Sequence, residues 1–362
     1  MTVRIIVSAI LIIVIVCVFV GALLIWKPQF DPVETPKSSA FNSELVAKGA
    51  ELAAIGNCAT CHTTPGGESY AGSRALPTPF GIIYSSNVTP DSETGIGNWS
   101  VEAFRRALRD GVDRKGRHLY PAFPYDHFTH LTDDDIHALY AFIMTREPAR
   151  STPPANKLPF PYNVRSLLAG WKLLFLQGGP RNDDMTKSAL WNRGRYLVES
   201  AAHCGACHTP RNFMGAEIKS RAFGGGVSEG WDAPSLNSSS PAPEVWTADQ
   251  LFTYLRTGWQ AQHGGAAGPM ASVTDTSRYL ESYVRFRALP WASMAFVMNT
   301  RAFVVFCVKI SFPPSGRRRS YTNGKRVCVC TNWAWLCGSF LKICWVPLVV
   351  GSLYCSTPPS RK

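Results

Sequence analysis

The chain has 362 residues, enough for two or three small domains, and its apolar content of 46% is ordinary for a globular protein. Its net charge of +12 suggests a nucleic-acid or anionic-membrane partner, but the last 78 residues carry twelve of the 37 Lys+Arg and none of the Asp+Glu. The first 284 residues therefore balance 25 basic against 25 acidic side chains, which excludes a nucleic-acid-binding body.

An apolar run occupies residues 5–26 and is long enough to cross a bilayer as a helix. It ends in LLIWKP without the small-x-small exit site of a signal peptide, so we expect an uncleaved signal-anchor rather than a cleaved signal. Arg4 precedes the run, and the residues that follow the run carry no excess of Lys and Arg. The positive-inside rule therefore predicts that the N-terminus is cytoplasmic. Residues 1–40 are thus predicted to anchor the chain in the inner membrane, with the remainder in the periplasm.

A helix predicted over residues 45–55 leads into Cys58-Ala-Thr-Cys61-His62. Two thiols at this spacing can each form a thioether with one porphyrin edge, and the histidine then supplies the proximal iron ligand of a c-type haem. A thioredoxin-like dithiol and half of a zinc site share the Cys spacing. A dithiol needs no following histidine, however, and zinc-binding pairs lie close together, whereas the second pair here begins at Cys204.

Two more helices are predicted in the first part of the chain, after loops rich in Gly, Pro and Ser. One covers residues 101–109 with Ser100 as its N-cap, and the other covers residues 133–145 with Thr132 as its N-cap. The order helix, haem loop, helix, helix is what a small cytochrome c domain needs. Residues 41–150 are therefore predicted to form a first, mainly α, class I-like cytochrome c domain.

Three stretches of this part carry a family resemblance: YAGSRALPTPFG from Tyr70, SSNVTPDSETGIGNWS from Ser85 and GRHLYPAFPYDHF from Gly116. They closely resemble the cytochrome c subunits of bacterial membrane-bound dehydrogenases, a family that serves periplasmic alcohol, gluconate, aldehyde and nicotinate-type dehydrogenases. The resemblance covers roughly residues 44–280. It implies electron transfer from a dehydrogenase catalytic subunit to membrane quinone or a terminal oxidase, with the organic chemistry left to the partner.

One position departs from the family pattern. Many members carry Met as the sixth iron ligand in a Tyr-Pro-Ala-Met-Pro-Tyr segment, where this chain has Phe123, which cannot bind iron. The nearest replacements are His127 and His130, with Met144 further on, although both histidines could equally be solvated loop residues. The resemblance favours His127, because DHF belongs to the Phe-bearing form of the segment. Two histidine ligands would give a lower potential than His/Met, and an unfilled position would leave a reactive iron.

Residues 151–188 are predicted as an extended, proline-rich linker. Its apolar stretch 167–176 is too short to span a bilayer and is expected to pack against the haem domains or a partner subunit. A helix over residues 190–202 then leads into Cys204-Gly-Ala-Cys207-His208. The segment from Trp246 repeats the one from Trp99 at a period near 147 residues, so residues 189–284 are predicted to be a duplicated second cytochrome c domain.

The second repeat keeps a methionine, in Gly268-Pro-Met270, so His208 and Met270 are the expected axial pair; core packing is the alternative role for Met270. The chain is thus predicted to hold two covalently bound haem c groups. The complete set of predicted site residues comprises the attachment cysteines Cys58, Cys61, Cys204 and Cys207, the proximal ligands His62 and His208, and the distal ligands Met270 and His127.

Residues 285–362 form a basic tail with six cysteines and no further Cys-x-x-Cys-His, where family members usually have a third haem domain. We expect this tail to be a translation out of the original frame; a specialised tail that binds anionic lipid or a partner is the alternative. Two functional alternatives also remain. The chain could be a di-haem peroxidase with an open first haem, or a truncated three-haem subunit with impaired electron delivery.

Overall fold

The computed structural model describes residues 25–242 and 244–277, eight residues between 7 and 21, and two short strands near the C-terminus. The chain divides into two compact units, residues 1–308 and 309–362. In the second unit, β7 (Val327–Cys330) pairs antiparallel with β8 (Trp333–Leu336). The rest of the predicted tail lies outside the described residues.

The first half of the large unit is mainly helical, as predicted. Its elements are α1 (Ser43–Ile55), α2 (Cys58–His62), the hairpin of β1 (Ala75–Thr78) and β2 (Gly81–Tyr84), α3 (Val101–Asp110), α4 (Tyr125–Phe128) and α5 (Asp133–Met144). Both predicted N-caps are confirmed, because the Ser100 hydroxyl accepts from Ala103 N–H and the Thr132 hydroxyl accepts from Asp135 N–H.

Helices α1 and α5 cross at a glycine and enclose the first apolar core. A Cβ on Gly49 would lie 1.9 Å from the Ala138 carbonyl oxygen, so only glycine permits this approach. The core includes Leu52, Leu139 and Phe142, and Cys58 packs against it. The crossing therefore places the end of α1, and with it the first Cys-x-x-Cys-His turn, over apolar side chains.

The predicted extended linker contains a helix, α6 (Leu167–Phe175). The prolines of residues 151–188 precede or follow this stretch, so nothing in it interrupts the i to i−4 hydrogen bonds. The β1–β2 hairpin was also not predicted from the sequence. Its turn depends on Gly81, whose φ of 122° and close approach to Lys157 exclude a side chain.

The second half repeats the order of the first. It contains α7 (Ala189–Tyr196), a π-helical turn (Leu197–Ala201), α8 (Gly205–His208), the hairpin of β3 (Gly226–Ser228) and β4 (Trp231–Ala233), α9 (Ala248–Thr257), the pair β5 (Trp259–Gln260) and β6 (Gly264–Gly265), and α10 (Pro269–Ser277). A second apolar core, around Trp246, Leu251 and Leu255, packs against Cys204. Each motif thus has its own core.

The N-terminal anchor prediction concerns residues that mostly lie outside the described part of the chain. Within the described residues, no helix combines the length and the apolar character that crossing a membrane requires. The segment that follows the apolar run is hydrogen-bonded to the first half. Phe30 N–H donates to Arg114 O over 2.9 Å, and Arg106 donates to Pro28 O over 2.7 Å. The chain therefore leaves the run already bound to the first half.

Candidate haem sites

The first motif forms a single helical turn directly after α1. Asn57 takes a left-handed conformation (φ 50°), which asparagine tolerates better than most residues, and its side-chain oxygen accepts from the Thr60 hydroxyl over 2.5 Å. This reversal starts α2 at Cys58. Cys58 and Cys61 lie on one turn with their thiols unbridged, and burial raises the pKa of the Cys58 thiol to about 12.

His62 is fixed in a defined tautomer. Its Nδ1 lies 2.7 Å from the Ser86 carbonyl oxygen, and because a carbonyl only accepts, Nδ1 carries the proton. The lone pair is then on Nε2. Burial lowers the pKa of His62, although the bond to Ser86 partly opposes that effect. A neutral imidazole held through Nδ1–H by a backbone carbonyl is the arrangement that metal-binding histidines use.

The second motif repeats this geometry. His203 precedes Cys204 in a left-handed conformation (φ 39°), as Asn57 precedes Cys58. His208 Nδ1 lies 2.8 Å from the Pro234 carbonyl oxygen, so it has the same tautomer as His62, and burial again lowers its pKa. Cys204 and Cys207 are unbridged.

The two motifs are in contact with each other. His203 Nε2 lies 3.1 Å from the Gly56 carbonyl oxygen, and a Cβ on Gly56 would lie 3.2 Å from Ala201 O. On another side, Arg74 donates to Thr60 O within the first motif over 2.7 Å and forms an ion pair of 3.0 Å with Glu229, which lies between β3 and β4. The structure therefore holds the two Cys-x-x-Cys-His turns side by side.

These residues fit covalently attached haem at each motif. The thiol pairs are free, both histidines have the tautomer that leaves Nε2 as the ligand atom, and each motif borders an apolar core. In the second core, Trp246 Nε1 is buried without a hydrogen-bond acceptor in the described part of the chain. A buried N–H without an acceptor is costly in a filled protein interior, which is consistent with an acceptor supplied by a bound group.

Comparison with known proteins identifies a cytochrome c domain around the first motif. The family model for cytochrome c matches residues 46–147. The chain is 49% identical over 249 residues to a nicotinate dehydrogenase subunit from Pseudomonas putida, an alignment that covers 68% of this chain and 21% of the relative. It is 43% identical over 251 residues to the fructose dehydrogenase cytochrome subunit of Gluconobacter japonicus, with coverage of 68% and 51%.

A third relative, a diheme cytochrome c-type protein of Cereibacter sphaeroides, is 36% identical over 270 residues, which cover 72% of this chain and 88% of the relative. The chain belongs to the family of c-type cytochromes that includes the cytochrome c subunits of bacterial dehydrogenases. It spans about half the length of the fructose dehydrogenase subunit and about a fifth of the nicotinate dehydrogenase subunit.

Met270 borders the same apolar core as the second motif. It is on α10 and packs against the second core together with Cys204 and Phe223. Asn57 Nδ2 donates to the Ser272 hydroxyl over 3.0 Å, which ties α10 to the first motif. The role of Met270 as distal ligand stays a prediction.

The structure brings His127 to the second motif. A Cβ on Gly205 would lie 2.9 Å from His127 Cε1. His127 Nδ1 donates to Glu199 O over 2.9 Å, and its Nε2 lies 2.6 Å from Glu217 Oε1. Since both nitrogens are bonded, ligation of the first haem by His127, which stays a prediction, requires at least one of these bonds to break.

The other candidates for the first distal position differ in their surroundings. Met144 is buried in the first core, and Phe123 and Cys58 pack against that core. His130 instead bonds Gly179 O through Nδ1 over 2.7 Å, and burial lowers its pKa to about 4. Met144 thus shares an apolar cluster with the first motif, whereas His130 is held by the linker.

Arg74 and Glu217 are functional candidates that were not predicted from the sequence. Burial alone would raise the pKa of Glu217, but the hydrogen bond and charge of His127 lower it to about 2. Burial alone would lower the pKa of His127, which Glu217 raises. Each member of the pair therefore favours the ionised state of the other. The two are 90 residues apart in sequence, and no local pattern could have joined them.

Proposed function

We propose that this chain is an electron-transfer subunit built from two tandem cytochrome c domains, residues 41–150 and 189–284, that carry two haem c groups. The observation that carries the proposal is the side-by-side position of two Cys-x-x-Cys-His turns, joined through the residues that precede them, each with its histidine bonded through Nδ1 to a backbone carbonyl. Haem iron supplies reversible one-electron exchange.

The chain's own residues would provide attachment and orientation. Cys58 with Cys61, and Cys204 with Cys207, would hold the porphyrin edges by thioethers. The carbonyls of Ser86 and Pro234 would keep the Nε2 atoms of the proximal histidines unprotonated. Met270 is proposed as the distal ligand at the second motif and His127 at the first. The Arg74–Glu229 ion pair and the Gly56–His203 contact fix the separation of the two motifs, on which the rate of electron exchange depends.

The names of the relatives suggest the neighbours in the electron path. They are subunits of dehydrogenases that act on nicotinate and fructose. We propose that a periplasmic dehydrogenase catalytic subunit delivers electrons to this chain and that membrane quinone or a terminal oxidase accepts them. The apolar run at residues 5–26 would anchor the chain in the inner membrane, with the N-terminus cytoplasmic and the haem domains periplasmic. The substrate chemistry would belong to the partner.

The first experiment is haem quantification of the membrane-extracted protein, together with ferrous spectra before and after carbon monoxide. Two low-spin haems that are indifferent to carbon monoxide are expected if both irons are six-coordinate. Fewer than two haems per chain would contradict the proposal, because the two motifs have the same attachment geometry. A reduction assay with the dehydrogenase subunit then tests whether electrons enter through this chain.

A second candidate function is supported by one observation. Phe123 occupies the position of the usual sulfur ligand, and both nitrogens of His127 are hydrogen-bonded. If no ligand binds the first iron on its distal side, a di-haem peroxidase becomes the better assignment, since an open iron can meet peroxide. Binding of carbon monoxide by one of the two haems, together with peroxide turnover, would favour this enzyme over the electron relay.

A further inference from the structure

Helix α6 is oriented against the rule for a surface helix in water. Its single charged residue, Lys172, points inward and is buried. Its outward side carries Leu167, Leu173 and Leu174, which are 56%, 69% and 67% exposed. With Gly170 between them, these positions lie at i, i+3, i+6 and i+7 and form one face, which we call the leucine face. A soluble surface rarely leaves three leucines exposed together, so the leucine face indicates an interaction surface.

The inward side of α6 is bound firmly to residues of both halves. Lys172 Nζ donates to Asp110 O and Gly111 O at the C-terminal end of α3, over 2.7 and 2.5 Å. Trp171 is buried against Tyr125, and its Nε1 donates to Met214 O over 2.9 Å. The leucine face is therefore presented by a rigid helix and cannot turn inward without breaking these bonds.

The end of the apolar run, where the chain would leave the bilayer, lies beside this helix. His118 Nδ1 lies 3.0 Å from Lys172 Nζ, and His118 Nε2 lies 2.9 Å from the carbonyl oxygen of Ile25, near the end of the run. One imidazole thus separates the end of the run from α6. Lys27 follows at once and packs so closely on Gly116 that a Cβ there would lie 2.2 Å from Lys27 O.

The charges around this exit are mostly positive. Lys27, Lys115 and Arg117 are exposed there. Of the acidic neighbours, Asp110 is exposed, whereas Asp113 is buried and paired with Arg117 over 2.6 Å. Basic side chains next to an apolar surface match the anionic headgroups and acyl chains of a phospholipid leaflet better than they match a purely apolar protein partner.

We propose that the leucine face of α6 is a membrane-surface contact that lies in the headgroup–acyl boundary of an anionic bilayer, next to the point where the N-terminal run enters it. The inference rests on the proposed membrane anchor and deepens it. The anchor alone would leave the haem domains free to tumble on a tether. A second contact through α6 would fix which side of the first half faces the lipid.

The test uses the full chain in vesicles of phosphatidylethanolamine and phosphatidylglycerol that carry a trace of diazirine-acyl phosphatidylglycerol, with adducts mapped by peptide mass spectrometry. We expect adducts on residues 5–26 and on the α6 peptide. The double variant L173Q/L174Q should lower the α6 adducts on the order of tenfold, because two leucines lose their transfer free energy. The control M185Q changes a residue that is 91% exposed on the linker after α6 and should leave the α6 adducts unchanged.

The outcomes separate the two proposals. Adducts on residues 5–26 without adducts on α6 would overturn the leucine-face contact while the anchor stands, and a protein partner would then be the occupant. Adducts on α6 alone would support the contact and overturn the anchor, and adducts on neither would overturn both. Equal α6 labelling in vesicles of phosphatidylcholine alone would overturn the anionic part of the proposal. Haem content and circular dichroism of L173Q/L174Q check that the variant is folded.

Discussion

Lys172 should make the stability of the protein rise with pH above neutrality. Burial lowers its pKa from 10.5 to about 7, even though its ammonium is bonded to two carbonyls and to His118 Nδ1. Between these two pH values the unfolded chain binds more protons than the folded one, so the free energy of unfolding increases with pH across that window. At 1.36 kcal/mol per pKa unit, the cost of burying the charge is about 4 kcal/mol at pH 7 and about 2 kcal/mol at pH 9.

The variant K172M retains the length of the side chain and removes the charge. The wild-type protein should therefore gain about 2 kcal/mol more than K172M between pH 7 and pH 9. Guanidinium unfolding of the detergent-extracted proteins, followed by far-ultraviolet circular dichroism, measures both free energies. K115M removes an exposed ammonium that stays hydrated in both states, and this control should keep the wild-type rise. The reasoning is refuted if wild type and K172M show the same pH dependence.

Two further predictions concern the residues around the motifs. F123M places a thioether where the first half lacks one. We expect it to replace the proposed His127 ligand and to raise the potential of the first haem, as measured by spectroelectrochemistry. An unchanged potential would show that the residue at 123 does not face the iron. E217Q removes a carboxylate whose pKa the charge of His127 helps to lower to about 2. A carboxylate with a lowered pKa stabilises the fold above its unfolded pKa of 4.5 and loses that contribution as the pH falls toward 2. Between these pH values, the free energy of unfolding should therefore fall more steeply in wild type than in E217Q. Parallel acid titrations of the two proteins would contradict this.

Local signals in the sequence predicted the motifs and the helices that carry them. Ser100 and Thr132 cap their helices as hydroxyl residues at those positions should, and the period between Trp99 and Trp246 predicted the repeated order of elements. Each N-cap depends on residues three positions apart, and the repeat is found by comparing the chain with itself. Both features can therefore be read from the amino-acid sequence alone.

The contacts between the two halves could not be predicted in the same way. Arg74 meets Glu229 across 155 residues, and an isolated arginine in a loop gives no sign of its partner. The stretch 167–176 was recognised as apolar, but its pattern did not show that Lys172 would face inward. That orientation depends on the carbonyls of Asp110 and Gly111 at the end of α3, which only the folded arrangement places nearby.

The predicted duplication offers a comparison for the position of His127, which lies beside the second motif. An offset of 147 residues relates Phe123 to Met270 and His127 to Thr274, a buried residue within the continuous helix α10. In the first half, the same region forms the short helix α4, which ends at Thr129, so the chain turns there and delivers His127 to Glu217 and Gly205 of the second motif. The first copy lacks the sulfur at 123, and its His127 is bonded to Glu217 beside the second motif. The two halves therefore repeat one order of elements, and residues of each half lie against the motif of the other.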